Sequence, residues 1–157
     1  MPTSDPLGFG PPPQPGRQAW NAPPGMYFDP VSGLVLPEGV ELASVARRVG
    51  AFFLSIGLAI VTLGIGYLIW GLIVWGGGRT PALQVLGMRC WRPETERVAG
   101  WWWMALREVV GRILLDITVL IAVASFILML VTRRRLALHD VVAGTVVLRD
   151  PNGVLRG

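Results

Sequence analysis

Thirty consecutive residues, Val49 to Gly78, carry no charge and read VGAFFLSIGLAIVTLGIGYLIWGLIVWGGG. As a helix such a run is about 45 Å long, more than the roughly 30 Å hydrocarbon core of a bilayer but less than two full crossings need. It therefore reads either as one long tilted span or as a bent, incomplete hairpin turning near Leu63-Gly64-Ile65-Gly66. A second apolar run, Ile113 to Thr132, is interrupted only by Asp116, and as a helix its length of about 30 Å suits one crossing. It stops at Arg133-Arg134-Arg135, a basic triplet of the kind that sits at the headgroup level on the cytoplasmic side.

Composition points the same way. The 157 residues leave room for one compact unit, and only 15% of them are charged against 52% hydrophobic, well under the roughly 25% charged of soluble domains. All 14 basic residues are arginine, which excludes a P-loop built on its lysine, a Schiff base and a lysine nucleophile. One cysteine, Cys90, and one histidine, His139, are too few for a Cys/His zinc site or an intrachain disulfide, and no cofactor or metal is expected. The net charge of +4 does not argue for nucleic acid, because the arginines flank the apolar runs, where anionic lipid headgroups lie.

Between the apolar runs lies an arginine-rich, aromatic loop. Six of the seven tryptophans fall between Trp70 and Trp103, three of them in the row Trp101-Trp102-Trp103, and tryptophan favours the half-wet membrane interface. Residues 91–112 read as an interfacial region, with a helix over 98–111. Topology stays open, since two simple spans would place this loop outside, against the positive-inside tendency.

Residues 1–42 hold most of the prolines, including Pro11-Pro12-Pro13 and Pro23-Pro24, and read as a disordered or polyproline II tail without an apolar signal stretch. Around Met26 to Pro30 and Gly33 to Pro37 the tail turns less polar, enough for a short turn or strand. The segment Pro11 to Pro15 would suit a partner with an aromatic-lined groove. Residues 150–157 form a short C-terminal tail after a stretch of strand character, Gly144 to Arg149.

The expected architecture is thus an all-α integral membrane protein, its membrane domain spanning 43–149 with apolar segments 49–78 and 113–132. Charged groups near membrane depth are functional candidates. Arg107, Arg112 and Asp116 are the polar ones here, and Glu108, Arg112 and Asp116 are four apart, so a helix would align them as an ion-pair ladder. His139-Asp140 lacks a nucleophile at a useful spacing, so Asp140 reads as a helix cap or an arginine partner. Catalysis is not expected.

Four segments carry a resemblance to a known family: Ala-Arg-Arg-Val-Gly-Ala-Phe-Phe at 46–53, Gly78-Arg79-Thr80-Pro81 through Met88-Arg89, Ala105-Leu106-Arg107, and Leu138-His139-Asp140 followed by Ala143-Gly144-Thr145. Together they resemble the bacterial RDD membrane-protein family over residues 43–149. That family takes its name from one arginine and two aspartates; the arginine falls on Arg48 and the second aspartate on Asp140, while Ser55 stands where the first aspartate is expected. Ala82-Leu83 replaces a usual Gly-Lys. The resemblance implies a bacterial cytoplasmic membrane protein that contributes to transport of an ion or small solute. Two apolar segments hardly enclose a pathway alone, so a homo-oligomer or another membrane protein is the expected partner beside the bilayer. The alternative is a membrane-anchored scaffold that works through its proline-rich tail without transport.

Overall fold

The computed structural model describes residues 23–109 and 119–155. Its first element is a hairpin of β1 (Met26–Asp29) and β2 (Leu34–Pro37), paired antiparallel. The Asp29 carboxylate closes the turn by accepting the N–H groups of Val31 and Ser32, each at 3.2 Å, as short polar turn residues do. A short strand, β3 (Glu41–Leu42), leads into α1 (Val45–Val61), whose N-terminus is capped by the Ser44 hydroxyl accepting from the Arg47 N–H. There follow α2 (Ile65–Val74), a 3₁₀ turn (Trp75–Gly77), α3 (Pro81–Val85), β4 (Met88–Arg92), β5 (Arg97–Val98) and α4 (Trp101–Ala105). The chain closes with α5 (Val119–Val131), α6 (Leu138–Ala143) and β6 (Val146–Arg149).

Four strands form one antiparallel sheet in the order β3-β6-β4-β5. Its central strands are buried on both faces, so their side chains divide between two cores by the strand period of two. Met88, Cys90 and Val147 pack on one side with Ala51, Leu83 and Met104 from the helices. Trp91, Val146 and Leu148 pack on the other with Leu34, Leu36 and Val40 from the hairpin, and with Leu136 and Leu155.

This architecture corrects the all-α expectation: the protein is mixed α/β, its described residues holding six strands in two sheets. Three of those strands lie between Met26 and Leu42, where a disordered tail was expected. Two more, β4 and β5, occupy part of the expected interfacial region, leaving α4 as a short helix after Gly100. The expected membrane segments are corrected as well. No described helix is long and apolar enough to cross a membrane. The uncharged run breaks at Leu63 and Gly64, both at positive φ (55° and 73°), a backbone state that ends a right-handed helix. It leaves helices of 17 and 10 residues, about 26 and 15 Å long. The described part of the second run is the 13 residues of α5, about 20 Å; its first residues, 113–118, lie outside the described ones.

Gly78 shows how tightly the helical layer meets the sheet. It adopts φ +66°, and a Cβ there would sit 2.4 Å from a Val98 methyl and 2.9 Å from the Cys90 carbonyl oxygen. Gly76, two residues earlier, has open space where its Cβ would be. Gly78→Ala should therefore lower stability by about 3 kcal/mol, combining left-handed strain with overpacking against backbone. Gly76→Ala should change it by no more than about 0.5 kcal/mol. Thermal unfolding of the two variants beside the parent in one detergent checks this; equal effects would mean that the Gly78 turn yields freely.

Candidate functional site

Strand pairing assembles the site. Leu42 of β3 is in register with Leu148 of β6, and the Ala43 N–H donates to the Val147 carbonyl at 2.9 Å. The start of α1 is thereby pinned beside the segment that follows α6, and Arg48, one turn into α1, reaches Asp140 in the first turn of α6. A third segment arrives from α4, which continues into a π-helical turn over residues 106–109 and carries Arg107 and Glu108. The Arg107 Nε donates to Asp140 Oδ1 at 2.9 Å, and its Nη1 to the Glu108 carboxylate.

Asp140 is the hub of this network. Its carboxylate is fully buried and accepts from Arg48, from Arg107 and, at 3.1 Å, from the Ala137 backbone N–H at the start of α6. Burial alone would push its pKa up, but the guanidinium groups of Arg48 and Arg107 outweigh burial and hold the carboxyl well below the usual range. Burial likewise disfavours the Arg107 cation, yet the neighbouring Cys90, Asp140 and Glu108 keep it protonated beyond its ordinary range. His139 Nε2 lies 3.0 Å from an Arg107 Nη and 3.6 Å from Asp140 Oδ1. Beneath the network on β4, burial pushes the Cys90 thiol up to about 11.

Arg135 locks the arrangement from outside. Its guanidinium donates to the carbonyls of Leu42 (3.4 Å) and Ala43 (3.1 Å), and its own carbonyl accepts from Arg48. On α5 the Ser125 hydroxyl accepts the Leu138 N–H at 2.9 Å, and just past its end the Thr132 hydroxyl accepts that of Leu136 at 2.9 Å. The last residue of the basic triplet thus serves as an internal clamp. Nothing in the triplet's pattern distinguishes Arg135 from its neighbours, and its role depends on a partner 92 residues earlier.

Beside the network opens a cleft of about 560 Å³ between α1 and α5, lined by Phe52, Phe53, Val123, Phe126 and Met129 and reached by Arg48, Arg107 and His139. Ser55 lies on the buried side of α1, where its hydroxyl donates to the Phe52 carbonyl at 2.7 Å. Arg112 and Asp116 lie outside the described residues. Glu108, the first member of the expected ladder, meets its sequence neighbour Arg107.

A family model described as the RDD family matches residues 43–144, more than half of the chain. The chain belongs to the RDD family. RDD proteins are generally membrane-associated. No curated protein and no solved structure matches the chain. Arg48 and Asp140, the residues expected from the resemblance to be the naming arginine and second aspartate, form a buried ion pair. At Ser55, where that resemblance expects the first aspartate, the hydroxyl bonds to its own helix.

Two outcomes follow from this geometry. Asp140→Asn leaves two buried guanidinium groups short of their counter-charge and should destabilise the fold by about 3–5 kcal/mol. Because the folded carboxyl titrates below its unfolded value near 4, its contribution is complete above about pH 4 and is lost as pH falls towards the folded value. Chemical unfolding from pH 7 downward should accordingly show a smaller acid-dependent loss in Asp140→Asn than in the parent. Cys90, buried and protonated up to about pH 11, should resist a thiol-alkylating reagent at pH 9 in the folded protein and react fully in denaturant; equal rates in both states would show that the core beneath the network opens readily.

Proposed function

We propose that this RDD chain works against a lipid bilayer as one subunit of a small oligomer and takes part in moving a small solute, without doing chemistry on it. The observation that carries this reading is the segregation of its surface. Ile60, Val61, Leu63, Ile65 and Ile73 on α1, α2 and their turn are 70–87% exposed, and Val123, Ile127, Leu130 and Val131 on α5 are 50–57% exposed. Exposed aliphatic groups on that scale mark a surface that needs hydrocarbon or another protein against it. The buried charges of the described residues, by contrast, are gathered into the network around Asp140 and the separate Arg89–Asp150 pair.

The state of that network supports binding over catalysis or proton relay. Asp140 is held ionised between two arginines, Ser55 does not ionise at accessible pH, and Cys90 keeps its proton. No described helix crosses the membrane by itself, so the reading places the apolar helices in contact with the bilayer of a bacterial cytoplasmic membrane and assigns any pathway to association between copies. The test is fractionation of expressing cells, then reconstitution of the detergent-purified chain into vesicles holding dyes for sodium, protons and chloride. The expected result is a protein released from membranes only by detergent, larger than one copy in the micelle, and speeding relaxation of at least one imposed gradient. Recovery in the supernatant without detergent, or a single copy with no flux above protein-free vesicles, would overturn it.

A further inference from the structure

The cleft between α1 and α5 combines two properties that a packing defect does not. Its walls are largely hydrocarbon and aromatic, and among the described residues its charged lining is of one sign: Arg48 and Arg107 reach it, whereas no carboxylate does. Asp140 is fully buried behind the two arginines, and Glu108 is not part of the lining. Both guanidinium groups bond to the same carboxylate, so they sit together at one place on the wall.

Neither arginine has used all its donors. A guanidinium has five N–H groups. Among the described residues Arg48 directs two at protein acceptors, Asp140 and the Arg135 carbonyl, and Arg107 directs three, at Asp140, Glu108 and His139. Both side chains are nearly withdrawn from water, at 7% and 5% exposed, where a charge-assisted hydrogen bond to an anion is stronger than at an open surface. The cleft's size falls within the roughly 300–1,000 Å³ of small-ligand pockets. Its mouth is apolar as well: Phe53 and Phe126, on opposite walls, are 65% and 47% exposed.

From this we infer that the cleft is a binding site for a single-chain anionic amphiphile. Its carboxylate or phosphate head meets the remaining N–H groups of Arg48 and Arg107, and its hydrocarbon chain lies between Phe52 and Phe53 on one side and Phe126 and Met129 on the other. A cationic head would meet two guanidinium groups with no exposed counter-charge. A free inorganic anion would leave the aromatic walls without a partner. The inference does not depend on transport, since occupancy is measurable where no flux is possible.

The experiment is displacement of a fluorescent carboxylate-headed acyl probe from the full chain in nonionic detergent. Competitors are dodecanoate, dodecyl phosphate, dodecyltrimethylammonium and inorganic phosphate. Dodecanoate and dodecyl phosphate should displace the probe at concentrations about tenfold or more below those of the other two. Ala122→Trp, which fills the cleft from the α5 wall without touching the charges, should weaken probe binding about tenfold or more while the melting temperature stays near the parent's. Should that variant fail to fold, Val123→Trp at the exposed wall serves the same purpose. Equal competition by the cationic amphiphile would overturn the charge assignment. Competition by inorganic phosphate as strong as by dodecyl phosphate would reduce the ligand to a free anion, and unchanged probe affinity in a folded cleft-filling variant would place the probe elsewhere.

Discussion

A carboxylate removed entirely from water can stay ionised in a protein only if opposite charge and hydrogen bonds replace its hydration. In this chain Asp140 meets that requirement by drawing in the guanidinium groups of Arg48 and Arg107 and the Ala137 backbone N–H. Those groups come from three segments far apart in sequence. The start of α1, the π-helical turn after α4 and the first turn of α6 must therefore meet at one point for any of the three charges to be buried. Glu108 pairs with Arg107, so among the described residues these two guanidinium groups meet two carboxylates.

The sheet and the network depend on each other. Pairing of β3 with β6 brings α1 to α6, and Arg135 then bonds the carbonyls at the β3–α1 junction while its own carbonyl accepts from Arg48. Loss of the strand pairing would separate the charges, and loss of the charge pair would leave the junction held by one clamp. The same cluster forms part of the cleft wall, where Arg48, Arg107 and His139 are presented and, among the described residues, no carboxylate is.

The sequence made some parts of this legible. Gly144 to Arg149 carried β-branched strand character, and β6 lies there. The glycines at 64 and 66 marked a place where the uncharged run could turn, and the helix ends at Leu63 and Gly64. Asp140 read as a cap or an arginine partner, and it is both. Strand β4, MRCWR, was not legible because an alternation of apolar and polar residues betrays only a strand with one wet face. Here both faces are dry, and its Arg89 is buried against Asp150 at 3.3 Å. Within a tail read as disordered, the two less polar stretches Met26 to Pro30 and Gly33 to Pro37 marked the places of β1 and β2; Pro37 closes β2 and Pro30 sits in the hairpin turn, where their missing N–H does no harm. Arg112 and Asp116, read as a ladder with Glu108, fall outside the described residues.

By itself the sequence determined what is local: where charge is absent, where glycine allows the chain to turn, that the chain has no lysine and only one cysteine and one histidine, and which segments resemble an RDD protein. Tertiary structure alone decided that the chain is mixed α/β, that Arg48 meets Asp140 and Arg107, that Arg135 faces inward, and that a cleft with cationic lining opens between α1 and α5. The reason is range. Helical and turn signals arise from residues a few positions apart, whereas the β3–β6 pairing and the bonds of Arg48 and Arg107 to Asp140 join residues separated by 33 to 108 positions, and no local pattern records which distant partner neutralises a buried charge.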